Sequence, residues 1–483
     1  MWGGRFDKPP ADVARAYTRS FPVDRRMYRE DIVASRAHAA MLGQQEIIPA
    51  SSAKALTAAL DSLLAELDQI GGPPADADDE DVHSYVERVL TERIGDHGRR
   101  LHVARSRNDQ VATDFRLYCK GFCLRLAIAV LDLLGVLVQR AQEEAETIAP
   151  GFTHLQVAQP VTLGHYFLAL FEMHRRDVDN ILYAHTVADV CPLGAGALAG
   201  VSFDIDRESV AEALCFSQVA RNSLDAVSDR DFVSAVLQAC ATLGGHLSRW
   251  AEDLVIWASP GYGMVRFDDA FATGSSMLPQ KLNPDVAELT RAKAGAVAGA
   301  AAGWQATLKG VPMTYALDMQ EDKRAVFRVE DDVLAALQAL TGALSTLAVN
   351  RKRMATVASL GHPTSIEIAD YLTEQGVPFR DAHAAVGRLV RLAEDRGIEL
   401  ADLDDAAFAA ADTRLSGDVR DRLDLQRAVA RRTSLGGTAP ARVREEAGRA
   451  NRWLHWQREH VQNLVARGLP AALQPAAPAQ ADV

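Results

Sequence analysis

Between Thr273 and Asp285 the chain reads TGSSMLPQKLNPD, a polar run in an otherwise helix-rich sequence. Two hydroxyls, Ser275 and Ser276, follow Gly274, and one ammonium, Lys281, comes after them. Glycine admits unusual backbone angles, so such a loop can bend tightly or close over a ligand. Hydroxyls, backbone N–H groups and a fixed cation suit a small carboxylate whose negative charge grows during a reaction. Asn283-Pro284-Asp285 reads as a helix start, with Asn as the cap, Pro in the first position and acids in the first turn. A helix start alone does not account for Gly274-Ser275-Ser276 or for Lys281.

Three other stretches have the same character. HVARSRNDQ places Arg105, Ser106, Arg107, Asn108 and Asp109 just before a long apolar run. So many donors at a helix N-terminus form a natural anion site. An exposed basic turn would explain Arg105 alone but not the whole cluster. GFTHLQVAQP sets Thr153, His154, Gln156 and Gln159 in a loop between Pro150 and Pro160. A lone His is more often structural, but His beside Thr in a Pro-bounded loop leans toward proton transfer near neutral pH. YALDMQEDKRAVF supplies Tyr315, Gln320 and Lys323, which by themselves read as a solvated helix start.

Long helices must position these groups. Proline is absent from Ala75 to Ala149, from Leu193 to Ser259, from Asp285 to Val311 and from Met313 to His362. Phe232, Val236, Cys240, Leu243, Leu247, Trp250, Leu254 and Trp257 recur at spacings of four and three, a helical seam of coiled-coil period. Phe115 to Leu137 is apolar on more than one face, so that helix must be covered on most sides. We expect a central bundle of long helices, with both of these faces buried between subunits. QIGGPPADADDED reads as a loop before a helix, and strand-like alternation is scarce.

Composition bounds the function. Apolar residues make up 48% and charged residues 24%, as in ordinary globular proteins. A net charge of −12 argues against a general nucleic-acid binder. Five cysteines without a CxxC pair read as small buried hydrophobes of a reducing compartment. MWGGRFDKPP lacks the apolar core of a secretory signal, and LAIAVLDLLGVLV is too short to span a bilayer. A cytoplasmic protein with no membrane partner is expected. No Walker loop, no GxGxxG after a strand and no paired His/Cys spacing calls for a metal, nucleotide or flavin, so no cofactor is expected.

Taken together, these stretches resemble the fumarase/aspartase superfamily, most closely its argininosuccinate lyase branch. The superfamily signature GSSxMPxKxNP is similar to Gly274–Pro284, with Leu278 in place of its Met. The branch adds WGGRF, RSRNDQVATD, THLQ.AQP, LDAVSDRDFV, QEDK, GVPFRDAH and GGTAP, and all stand here in family order. The resemblance implies an all-α fold of three domains, set at residues 1–106, 107–355 and 356–470. Residues 471–483, PAALQPAAPAQADV from Pro470 onward, read from composition as a disordered tail. It also implies a homotetramer built on the middle domain, with active sites shared between subunits. The implied reaction cleaves a C–N bond in an N-substituted aspartate and releases fumarate.

By the same resemblance Ser275 is the general base, activated by Lys281 and loop N–H groups. His154 is the relay or acid residue, and Glu288 its carboxylate partner. Ser106, Arg107, Asn108, Thr153, Ser276, Lys281 and Asn283 would hold the fumarate half. Tyr315, Gln320 and Lys323 match further substrate contacts, and Ser20 and Asp24 match contacts to the amino-acid end of an arginine moiety. Departures from the branch, at Val103-Ala104, Val157, Leu282 and Ala316-Leu317, remove no catalytic group, and several fall toward the leaving amine. They leave open a sister lyase acting on another N-substituted aspartate, such as ethylenediamine-N,N′-disuccinate. An idle, crystallin-like structural protein is the third reading.

Overall fold

The computed structural model describes residues 9–415 and 417–474, so the WGGRF motif and residues 475–483 lie outside the described part. The fold is all-α. Strands among the described residues occur only as four two-stranded ribbons. After two short helices at Asp12–Thr18 and Phe21–Asp24, the N-terminal part is built on α1 (Tyr28–Gln44), α2 (Ala50–Ile70) and α3 (Val82–Ile94). They close around Leu42, Leu56, Leu60, Leu63 and Leu90. Asp81 starts α3 by accepting the Ser84 N–H at 2.6 Å, as an N-cap should.

Five long helices make the bundle: α4 (Arg107–Glu143), α5 (Leu163–Ala188), α6 (Asp231–Ala258), α7 (Asp285–Leu308) and α8 (Glu321–Thr346). Ser106 and Asp109 form a capping box at the start of α4, which fixes where the bundle begins. α4 is long and apolar enough to cross a membrane, but most of that stretch is buried inside the protein, as in a core helix. Cys119, Cys123, Cys191 and Cys240 are buried thiols, and Cys215 is half-buried.

The seam on α6 differs from expectation. Its eight residues, Phe232 to Trp257, are between 0 and 6% exposed within a single chain. Phe115, Phe122, Leu126, Val130, Leu133 and Leu137 of α4 are equally buried. Neither face lies between subunits: α5, α7 and α8 cover α6, and α5, α8 and the later C-terminal helix cover α4. The apolar period marks a face to be covered, but not whose side chains cover it.

The face left open belongs to α7. Ala292, Gly295, Gly299, Ala302 and Ala306 recur at spacings of three and four and are exposed, with Leu289 at the same end. A Cβ built on Gly295 or Gly299 would meet nothing within 4 Å. Small residues in this pattern let another helix approach closely.

Two further helices, α9 (Ser365–Glu374) and α10 (Phe379–Arg396), pack around Ile368, Leu372, Leu389 and Phe408. The span expected as one C-terminal unit divides here. The long helix α11 (Pro440–Gly468) returns to the bundle, where Val443, Ala447, Ala450, Leu454 and Val461 join its core. The expected disordered tail does not include its first residues, and the rest of it lies outside the described residues. Ala471–Leu473 form a 3-10 turn, and Leu473 is buried in the N-terminal core, an anchor that the Pro/Ala composition conceals.

Candidate active site

The predicted residues fall into three groups. The first lines a cavity of ≈ 660 Å³ between the N-terminal helices and the bundle. Ser20, Asp24, Arg107, Asn108, Tyr315, Gln320 and Lys323 all border it. Arg107 and Asn108 arrive on the first turn of α4, and Lys323 on the first turn of α8. Ser106 spends its hydroxyl on the cap, accepting the Asn108 N–H at 3.2 Å. Arg105 is tied behind the cavity, donating to Ser35 Oγ at 2.9 Å.

The cavity carries both signs of charge. Arg107 lies 3.5 Å from Asp81 and 3.5 Å from Glu87, and donates to Gln110 at 3.0 Å. Asp24 is 2% exposed, and burial raises its carboxyl above the usual aspartate range, opposed by nearby His83 and by its bond to Ser20. It accepts from Ser20 Oγ at 2.5 Å and from the Val82 N–H at 3.0 Å. Ser20 therefore presents the Asp24 carboxylate to the cavity while Asp24 pins the start of α3. Tyr315 is pushed up to about 12, chiefly by burial and then by the charge of Asp322, so it stays a neutral donor.

Sequence reasoning missed Glu80, Asp81, His83, Ser84 and Glu87, which line the same cavity. The signal was present: a run of acids, an Asp cap and a His at a helix start face the same space as the RSRND cluster. His83 sits on buried carboxylates, with Nδ1 2.8 Å from Asp31 and 3.3 Å from Asp114.

The second group is the tip of a β-hairpin, not a loop. β1 (Ile148–Thr153) and β2 (Gln156–Thr162) pair antiparallel, and Thr153 faces Gln156 across a two-residue turn. The turn residues His154 and Leu155 have φ of 55° and 58°. A type I′ turn requires positive φ at both central positions, normally supplied by Asn or Gly. Here two L side chains pay that strain, which holds the His154 imidazole out in solvent.

The third group is the hydroxyl loop. β3 (Thr273–Gly274) and β4 (Leu282–Asn283) clasp its neck. Ser275 Oγ accepts two backbone N–H groups, from Leu278 at 3.0 Å and Met277 at 3.3 Å. Two donors aimed at one oxygen favour its alkoxide form. Ser276 and Lys281 are exposed. Asn283 is not the helix cap expected of it. Its amide donates to Thr273 Oγ1 at 3.3 Å across the neck, and α7 starts at Asp285 without a side-chain cap. Glu288 is exposed on the first turn of α7. Within one chain no hydrogen bond or ion pair among the described residues joins the three groups.

Two clusters have ligand atoms close enough for a metal ion, Asp31/His83/Asp114 and His174/Asp177/His246. In the second, Trp250 Nε1 donates to His174 Nε2 at 2.9 Å and His174 Nδ1 meets Asp177 at 2.8 Å, so both ring nitrogens are already engaged.

A long-helix bundle, a hydroxyl loop whose serine accepts two backbone N–H groups and a charged cavity fit a carbon–nitrogen lyase of the fumarase/aspartase type. Residues 4–299 match the family described as Lyase, and residues 362–430 match the argininosuccinate lyase C-terminal family. Argininosuccinate lyase of Symbiobacterium thermophilum is 47% identical over 92% of this chain and 96% of its own. That of Nitratidesulfovibrio vulgaris is 46% identical over 94% and 98%. Among solved structures, an EDDS lyase variant with bound fumarate superposes with a TM-score of 0.84 at 28% identity, covering 94% of this chain and 90% of that one. The chain belongs to the argininosuccinate lyase family.

Proposed function

We propose that the protein eliminates fumarate from argininosuccinate and releases arginine. The observation that carries this reading is the cavity pairing Ser20 and Asp24 with Lys323: an anion for an ammonium opposite a cation for a carboxylate, the two ends of an amino acid. Relatives of nearly full length at 45–47% identity bear the same name. Ser275 takes the proton from the carbon beside a carboxylate. That C–H is weakly acidic, so the carbanion must be held as an aci-carboxylate dianion, with Lys281 and loop N–H groups as its counter-charge. Asn283, Ser276, Thr153, Arg107 and Asn108 hold the fumarate half. His154, with Glu288 behind it, delivers a proton so that the nitrogen does not leave as a strong base.

Separate groups with exposed reactive residues support a site completed by other copies of the chain in a homotetramer. The small-residue face of α7, which begins two turns after the hydroxyl loop, supports assembly through that helix. A cytoplasmic location fits the chain's composition. Comparing fumarate release from argininosuccinate and from ethylenediamine-N,N′-disuccinate tests the reading. Release from argininosuccinate at much the higher kcat/KM is expected. The reverse order moves the protein to the sister activity, and no release from either leaves it a structural protein.

A further inference from the structure

The motif LDAVSDRDFV has no task in the chemistry above, yet its Arg230 is buried beside Asp322, the neighbour of a cavity residue. Arg230 is 1% exposed and donates through Nε to Asp322 Oδ2 at 2.9 Å. Asp322 is fully buried, and its other oxygen, Oδ1, accepts from Lys323 Nζ at 2.5 Å and from the Lys323 backbone N–H at 2.7 Å. Lys323 Nζ also lies 5.1 Å from the centre of the Phe115 ring. Behind Arg230, its guanidinium donates to the Asp229 carbonyl at 2.8 Å, and the Asp229 carboxylate pairs with Arg116. Arg116 is stacked 4.4 Å over Phe232. Charges of alternating sign thus run Arg116, Asp229, Arg230, Asp322, Lys323 and end at the cavity wall.

We infer that Asp322 is a positioning residue for the reaction, and that the SDRD segment exists to hold it. A lysine has four rotatable side-chain bonds and a strongly hydrated head, so alone it would sample many positions. Its neighbour's carboxylate fixes the ammonium, and Arg230 fixes the carboxylate from the other side. A buried charge is tolerated only when it is paired and hydrogen-bonded, and Arg230, Asp322 and Lys323 supply that for one another, with the Asp229 carbonyl closing the row behind Arg230. The row couples the α6 N-terminus to the first turn of α8, so the packing of the bundle sets where Lys323 stands. The inference rests on the reading that Lys323 receives the carboxylate of the amino-acid end.

A double-mutant cycle on arginine affinity, measured by calorimetry, tests it without needing activity. The four proteins are wild type, Asp322→Asn, Lys323→Gln and the double variant. Each single variant is expected to weaken arginine binding by about 10-fold or more, the worth of a charge-assisted bond. The double variant is expected to bind within about 3-fold of Lys323→Gln alone, because Asp322 acts through that lysine. Losses that multiply in the double variant overturn the inference, since Asp322 would then act on the fold. Should Asp322→Asn not fold, Arg230→Lys serves in the same cycle. It keeps the positive charge but loses the planar fork, and its defect should vanish in the Lys323→Gln background. Unchanged arginine binding by Lys323→Gln overturns the amine-side reading of the cavity, a failure distinct from multiplying losses.

Discussion

Leu247→Asp is the most informative single test of how the bundle is built. Leu247 is 1% exposed within one chain, on the inward face of α6. Removing its side chain from the core forfeits roughly 2–3 kcal/mol of apolar burial. The introduced carboxylate has no partner there, and an unpaired buried charge costs several kcal/mol more, even after partial relief by protonation. The sum, roughly 5 kcal/mol or more, is comparable to the whole stability of a typical domain. The variant should therefore fail to fold, rather than yield a folded protomer that no longer associates. Gly299→Asp is the matching control on the open face of α7, where a Cβ meets nothing within 4 Å. It should keep its helix content and its melting temperature as a protomer while losing association. Far-UV circular dichroism during heating and sedimentation velocity read both outcomes. A helical Leu247→Asp protomer that melts near wild type would refute the assignment of this seam to the protomer's own core.

Other perturbations address the site. Asp24→Asn should weaken arginine as a product inhibitor far more than fumarate if Asp24 and Ser20 serve the amine half as proposed; equal weakening would remove Asp24 from that side. Mixing inactive Ser275→Ala and inactive Lys323→Gln protein, with subunit exchange by mild denaturant, should restore activity, since some mixed sites escape both lesions; strictly additive residual activity would show that each chain holds a complete site. Glu30 is buried and raised from 4.5 to about 7, chiefly by loss of hydration. A carboxyl with a raised folded-state pKa contributes stability that is present below about 4.5 and lost as pH rises through about 7. Glu30→Gln should flatten that part of the stability–pH curve in urea titrations, and an unchanged slope would place the dependence elsewhere.

What the sequence disclosed, and what it hid, follow from the range of the forces involved. The hydroxyl loop was legible because small polar residues and Gly in a helical setting have few structural uses. The RSRND cluster was legible as a donor-rich helix start, and Ser106 and Asp109 do form the cap. The THLQ segment was read as a loop because Pro150, Gly151 and Pro160 mask strand alternation. Its hairpin is fixed by the turn at His154 and Leu155, whose positive φ no propensity predicts. Asn283 was misread because Asn-Pro-Asp is a sound local cap pattern, yet pairing across the loop neck claims its amide. The α6 seam was read correctly as a buried face and wrongly as an intersubunit one. Periodicity is a property of one helix, whereas its partner is chosen by the whole chain. The open face of α7 carries no hydrophobic signal because it is built of Ala and Gly, which under the proposed assembly act by close approach rather than by burying large side chains.

The central claim is that Ser275 is the base of an elimination that yields fumarate and arginine from argininosuccinate. Its most direct test is the turnover of Ser275→Ala, with sedimentation run alongside to show that assembly is unchanged. Wild type should release fumarate and arginine in equal amounts. The variant should be slower by about 10²–10⁴, the usual contribution of a positioned proton-transfer group. Near-normal fumarate release by an intact Ser275→Ala assembly would contradict the account.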